Sequence, residues 1–501
     1  MAPRRLTGGM RCLRVGPFGR PDLIARTSLG LVLVASAAAL GAELAPAAAP
    51  ELTRTLYLQH CAACHGARRY GGTAPPLGPD ALARKSDETL LATIRDGLPN
   101  TQMPAFGASV TPEQARALVR LLREPLPEMR WTLHDIAASR VAERGEPHPL
   151  PAGVRRENLT LVVERGRSSV SVLDGDTLRE LDRFPARNLH GGIKFDRHWS
   201  SAFAVTRDGT ALAYDLVRGV LRATAVVGVN TRNVAISPDG DFVAVANQLP
   251  AGLVLLDGEL RPLAAFAFEG QPSGVYALPG GDRFALAMRD VPVLHLVRIP
   301  SLDLETVSLP EPFEDFIFVP GTQRIVASSR AGERLLLYDF GKREVLASLE
   351  TQGLPHLFSA CFFRRGGVLH AAFNHIGVPR LSIVDVEAFE IRQEIALRGS
   401  GYFARTHPAT PYIWVDTNTE TVQLVDKRSL ALAEHSLTPA PGKKAMHVEF
   451  TAEGDKAFVS VWHPEGAVVV YDSSSLEELA RLPYAMPVGK YNAASKTRLL
   501  E

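Results

Sequence analysis

From about Val154 onward the chain repeats one pattern, an apolar run that ends on an acidic residue and is followed after a short break by another β-rich run. The acid-terminated runs are Val172-Leu173-Asp174, Ala213-Tyr214-Asp215, Leu255-Leu256-Asp257, Leu337-Tyr338-Asp339, Ile383-Val384-Asp385, Leu424-Val425-Asp426 and Val470-Tyr471-Asp472. Successive runs lie 41, 42, 82, 46, 41 and 46 residues apart, and a degenerate copy, Leu296-Val297-Arg298, divides the long interval in two. Five units also carry a quotable turn: Thr206-Arg207-Asp208-Gly209, Ser237-Pro238-Asp239-Gly240, Pro279-Gly280-Gly281-Asp282, Arg364-Arg365-Gly366-Gly367 and Ala452-Glu453-Gly454-Asp455. Asp-Gly and Gly-Gly pairs supply the positive φ of tight hairpins. Short strands, hairpin turns and a period in the low forties describe four-stranded propeller blades. Eight units over 153–501, about 44 residues each, predict an all-β eight-bladed β-propeller. A seven-bladed WD40 array does not match the count, and its Trp-Asp pairs are missing.

Upstream the period changes. Thr111-Pro112-Glu113-Gln114 has the form of a capping box with proline at the first helical position, and Leu118, Leu121 and Leu122 give the following helix an apolar stripe. Residues 51–124 are therefore expected to form an all-α domain. Prolines 125, 127, 147, 149 and 151 make 125–152 an extended linker, with room for a short helix around His134 to Arg144.

The helical domain contains Cys61-Ala62-Ala63-Cys64-His65, the C-x-x-C-H sequence that carries a covalent c-type haem. Two cysteines on one helical turn reach two vinyl groups of one porphyrin, and the adjacent histidine meets the iron from the same side. A redox dithiol or half a zinc site is the alternative, but no second C-x-x-C accompanies it. About forty residues beyond, Met103-Pro104 sits in a loop that resembles the sixth-ligand loop of class I cytochromes c. His65 and Met103 are the expected iron ligands; a thioether raises the reduction potential relative to a second imidazole. A Met that only packs on the haem edge is the other reading.

A net charge of +1, with 46% hydrophobic and 22% charged residues, gives no case for nucleic acid. Arg4, Arg5, Arg11, Arg14, Arg20 and Arg26 precede an apolar run from Leu29 to Leu40 and a small-residue stretch, Ala45 to Ala49. That order reads as a secretory signal over 1–49, cleaved near Ala48 to Pro50, with Met10 as a second candidate start. The apolar run is short for a spanning helix, so no stable membrane insertion is expected. Cys12 leaves with the signal, and Cys361, in an apolar run, is expected to be a buried small hydrophobe. Signal and haem motif together point to the periplasm.

A cytochrome c domain followed by an eight-bladed propeller resembles the cytochrome cd1 family, from about Leu52 to the end of the chain. Three segments carry the likeness: Asn188-Leu189-His190 with Phe203 to Asp208; Arg405-Thr406-His407-Pro408 with Tyr412 to Asp416; and Pro487-Val488-Gly489-Lys490-Tyr491-Asn492. The resemblance implies a non-covalent haem d1 or dihydro-haem d1 on the propeller axis, with His190 as proximal iron ligand. His190, His356 and His447 fall just before expected innermost strands, and His375 and His407 in flanking loops. His356 is the expected acid/base, since imidazole exchanges protons near neutrality. His375 and His407 are further catalytic candidates, although His407 is also placed to bond within its own blade. Arg207, Lys194, Arg232 and Arg405 are candidates for the tetrapyrrole carboxylates.

Two activities of the family compete: nitrite reduction to nitric oxide at haem d1, and dehydrogenation of a dihydro-haem d1 propionate to acrylate in the last step of haem d1 biosynthesis, with haem c taking electrons. About 452 residues after the signal, a cytochrome domain that begins almost at the signal, and a distal segment Pro355-His356-Leu357-Phe358 without the reductase's glycine-rich pattern favour the dehydrogenase. A third reading makes the propeller a haem d1 carrier. The implied partners are the tetrapyrrole substrate, an external electron acceptor, and a nitrite reductase or haem d1 delivery protein.

Overall fold

The computed structural model describes residues 48–72, 74–83, 85–98, 103–329 and 333–497. The expected signal up to Ala47 and loop residues 99–102 lie outside the described residues.

Five helices open the described chain: α1 (Ala48–His60), α2 (Ala62–His65), α3 (Pro79–Leu82), α4 (Asp87–Asp96) and α5 (Pro112–Arg123). The expected capping box is present at α5. Thr111 Oγ1 accepts from the Gln114 N–H at 3.3 Å, and Gln114 Oε1 accepts from the Thr111 N–H at 2.8 Å. Leu118, Leu121 and Leu122 are buried with Tyr57, Leu90 and Ile94 in a core of their own. Arg69 seals the C-terminal end of α5, donating to the carbonyls of Leu121, Glu124 and Pro125.

The segment 125–152 carries more order than its prolines suggest. A sixth helix, α6 (Leu133–Ser139), buries Ile136 completely among propeller residues, and Val141–Arg144 pairs antiparallel with Val220–Val226 as a fifth strand. Trp131 donates its indole N–H to the Val226 carbonyl at 3.0 Å. Ile136 and Trp131 bury apolar area, which outweighs the local preference of the flanking prolines for extended chain.

Eight antiparallel sheets follow. Seven have at least four strands; the seventh blade, Ala404–Asp426, has three, and two isolated bridges to Leu432 and Leu437 stand where its outer strand would be. The C-terminal strand Pro487–Asn492 supplies the innermost strand of the first blade, pairing with Leu159–Glu164 and closing the ring. Middle strands such as Leu159–Glu164 and Ser201–Thr206 are buried at every residue because a neighbouring blade covers each face. Outer strands such as Glu344–Glu350 alternate intermediate and exposed.

The repeated acid has a structural reason. It ends the third strand of seven of the eight blades, Arg298 standing in the fourth, and its carboxylate accepts backbone N–H groups of the turn that follows: Asp215 from Val217 and Arg218, Asp385 from Glu387 and Ala388, Asp472 from Ser474 and Ser475. The same turn places one residue in the left-handed region in every blade: Leu178, Gly219, Leu260, Leu302, Arg343, Phe389, Leu430 and Leu476. Only one of the eight is glycine. Several of these side chains, among them Leu260 and Phe389, are buried, and that burial offsets a conformational cost of about 1–2 kcal/mol.

Candidate functional site

Innermost strands begin at one face of the ring, where most are interrupted by a bulge. Register shifts fall at His190 to Ile193, at Arg232, at Ser273, at Glu314 and at His447, and the innermost strand of the sixth blade is broken outright between Leu354–Pro355 and Cys361–Arg365. A bulged residue leaves the ladder and its side chain is re-aimed. His190 and His447 therefore lie within innermost strands and His356 in the break, where the sequence placed all three just ahead of them. After His190 the chain needs glycine twice: Gly191 and Gly192 have φ of 79° and 84°, and a Cβ on Gly191 would stand 2.6 Å from that of Asn233.

His190 Nδ1 lies 2.9 Å from the Arg232 carbonyl and Nε2 lies 2.8 Å from an Arg207 guanidinium nitrogen. A carbonyl only accepts and a guanidinium only donates, so Nδ1 carries the proton and Nε2 presents its lone pair. Burial, with the charges of Arg207 and Arg232, holds His190 well below the ordinary imidazole value. Arg165, Arg207, Arg232 and Arg289 form one cationic group; burial and its like-charged neighbours pull Arg207 down to about 10. Among the described residues no ion pair joins Arg165, Arg207 or Arg232 to an acid, an arrangement suited to a bound polycarboxylate.

His356 faces the same opening from the sixth blade. Its Nδ1 lies 2.8 Å from the Tyr402 carbonyl and 2.7 Å from Ser359 Oγ, so the carbonyl acceptor places the proton of the neutral ring on Nδ1 and leaves Nε2 with the lone pair. His65 shows this arrangement a third time, with Nδ1 2.7 Å from the Pro75 carbonyl. Cys61 and Cys64 precede it on one helical turn, so the donor set fits a c-type haem with His65 Nε2 on the iron. Gly97 holds the Met103 loop close: with φ of 74°, a Cβ there would stand 2.8 Å from the Met103 carbonyl oxygen.

Residues 154–308 and 314–496 match the family model described as the cytochrome D1 heme domain. The chain belongs to that family. Residues 48–122 of this cytochrome D1 protein match a second model, cytochrome C oxidase, cbb3-type, subunit III. A dihydro-heme d1 dehydrogenase of Pseudomonas aeruginosa is 39% identical over 468 residues, covering 88% of this chain and 93% of the relative. The solved structure of the dihydro-heme d1 dehydrogenase NirN in complex with DHE superposes with a TM-score of 0.77 at 37% identity, covering 89% of this chain and all of that one. A nitrite reductase of Stutzerimonas stutzeri is 21% identical over 552 residues, covering 92% of this chain and 96% of the relative. The cytochrome D1 protein thus carries haem c on its helical domain and a d1-type tetrapyrrole on its propeller. Among the described residues no helix is long and apolar enough to cross a membrane.

Of the two further catalytic candidates, His375 pairs with Pro355 beside the His356 turn but has its ring buried within its own blade, and His407 is not brought to this opening. His375 lies in the second strand of its blade, Val368–Ile376, and not in a loop; it is fully buried with Nε2 2.8 Å from Ser382 Oγ. His407 sits in the turn between the first and second strands of the seventh blade, at the opposite end from where innermost strands begin. There its ring packs over Gly454, and its Nδ1 accepts the Ala409 N–H at 3.2 Å. Arg405 is likewise spoken for, paired with buried Glu449 at 3.2 Å. Lys194 is buried beneath the Phe358 ring, its nitrogen 5.5 Å from the centroid, and burial lowers it.

Sequence reasoning missed Arg165 and Arg289, and a signal for both was present. Each directly follows a second strand, as Arg207 does, so stacking the repeats puts the three arginines at one position. Tyr402, Ser359 and Asp315 come from connections and a bulge that the repeat does not index, whereas Asp416 ends the second strand of its blade.

Proposed function

We propose that this protein is a periplasmic dihydro-haem d1 dehydrogenase. It oxidises a tetrapyrrole propionate, –CH2–CH2–COO⁻, to an acrylate, –CH=CH–COO⁻, releasing two electrons and two protons. The observation that carries the reading is the pairing of His190 and His356 at one opening of the propeller, each with Nδ1–H on a backbone carbonyl and a basic Nε2. The relatives at 39% and 37% identity support it.

In this reading His190 Nε2 holds the substrate iron, and Arg207 moves from His190 to a substrate carboxylate. Arg165, Arg232 and Arg289 orient the remaining carboxylates. His356 Nε2 takes one proton from the propionate chain, its Nδ1–H fixed on the Tyr402 carbonyl, and the second proton passes to water at the propeller opening. Cys61, Cys64, His65 and Met103 hold haem c, which when bound accepts one electron at a time. Two electrons leave per propionate, so an external acceptor empties the cytochrome between steps.

Anaerobic addition of dihydro-haem d1 and an electron acceptor to the haem c-loaded protein tests this. Conversion to haem d1 with transient reduction of haem c is expected, and His356→Ala is expected to bind the substrate but not convert it. Unchanged substrate in the wild type overturns the reading: nitric oxide formation from nitrite by the haem d1-loaded protein would then mark a reductase, and binding with neither reaction a carrier.

A further inference from the structure

His356 stands on a turn with no innermost strand to hold it, yet its imidazole must be aimed. Two buried carboxylates, neither in contact with the ring, tie down the chain on both sides. On the seventh-blade side, Asp416 Oδ1 accepts the N–H groups of Tyr402 and Phe403 at 2.7 and 3.1 Å, and Oδ2 accepts the His447 N–H at 3.0 Å. Asp416 is 1% exposed. Fixing those amides sets the Tyr402 peptide, whose carbonyl takes the Nδ1–H of His356. On the fifth-blade side, Asp315, 5% exposed, accepts the Phe358 N–H through one oxygen and the Tyr276 hydroxyl through the other at 2.8 Å. Phe358 is two residues past His356 on the same turn.

We infer that Asp416 and Asp315 are positioning residues that bracket His356, fixing its proton on Nδ1 and its basic Nε2 toward the propeller opening. The inference rests on His356 being the base. Both carboxylates resist ionisation through burial, and each is drawn back toward the anion by the nearby His356. Other charges face the same ground: Arg232 lies near Asp315, and Lys444 and Lys490 lie near Asp416. The carboxylates thus also offset local positive potential.

The test uses Asp416→Asn and Asp315→Asn in the haem c-loaded protein, with 15N-histidine spectra of the tetrapyrrole-free form and kinetics on dihydro-haem d1. In the wild type His356 should be almost wholly the Nδ1–H tautomer. Asp416→Asn should populate the Nε2–H tautomer and lower kcat by about 10- to 100-fold, the range that outer partners of metal-bound imidazoles set, taken here as the guide. Tetrapyrrole affinity, set by His190 and the arginines, should stay within about twofold. Asp315→Asn should act in the same direction and decides the matter if Asp416→Asn does not fold. Folded variants with the wild-type tautomer and kcat overturn the bracket. Turnover by His356→Ala would instead overturn the base assignment, which separates the two failures.

Discussion

Glu449→Gln should destabilise the propeller by an amount that depends on pH. The Glu449 side chain is 1% exposed at the end of the last blade's innermost strand, 3.2 Å from Arg405 and 2.5 Å from Lys496, with Ser495 Oγ donating to it at 2.8 Å. Burial alone would raise this carboxyl, but Lys496 and Arg405 hold it at about 2. Removing one partner of a buried pair costs about 3–5 kcal/mol. Here part of that loss can be relieved, because burial has already brought Lys496 down to about 8. Shedding its proton at pH 7 costs about 1.4 kcal/mol, at 1.36 kcal/mol for each unit of pKa, and less once Glu449 is gone. The expected loss is therefore about 3 kcal/mol at pH 6.5. A lysine whose folded pKa is depressed makes the unfolded chain the better proton binder, so stability rises with pH above the folded pKa. In the variant that rise begins below pH 8, and in the wild type only near 8. The gap should narrow by up to about 1.4 kcal/mol per pH unit across that window. Urea unfolding followed by far-ultraviolet circular dichroism between pH 6 and 9 measures it. A gap under about 1 kcal/mol at pH 6.5, or one that does not change with pH, would refute the reasoning.

Three shorter predictions follow. Gly97→Ala forces a Cβ against the Met103 carbonyl at a φ of 74°, so the loop should move and the haem c potential should fall as Met103 is lost from the iron; a redox titration checks it. His190→Ala should abolish tight tetrapyrrole binding while leaving the thermal transition within about 2 °C, since the residue packs at a bulge outside the blade cores, and equilibrium binding with circular dichroism reads both effects. Because burial and two arginines depress His190, its contribution to stability is present above about pH 6.5, the unfolded value, and is lost as pH falls below it; the tetrapyrrole-free protein should lose stability over that window and His190→Gln should flatten the dependence.

How far the chain could be read depends on which forces are local. The propeller was legible because seven of the eight third strands end on an acid that caps the next turn, so Asp174, Asp215 and their equivalents recur at the blade period. The left-handed leucines of those same turns were not legible, since glycine is the usual marker and burial substitutes for it here. His190 and His356 could be placed at one end of the ring because they stand near innermost strands. His375 was misplaced because its strand continues through a position the pattern marked as a loop, and His407 because a turn on the wrong face looks the same in sequence as one on the right face. Asp315 reaches the Phe358 amide of the next blade, and Asp416 joins the lead-in of its own blade to the His447 amide of the next, relations between loops that the repeat period does not encode.

The measurement closest to the central claim is a single turnover of haem c-loaded protein with stoichiometric dihydro-haem d1, without oxygen or an external acceptor. The account predicts one reduced haem c per protein before conversion stalls, then release of the stalled tetrapyrrole to haem d1 when an acceptor is added. Full conversion with haem c still oxidised, or reduction of haem c with no change in the tetrapyrrole, would contradict it.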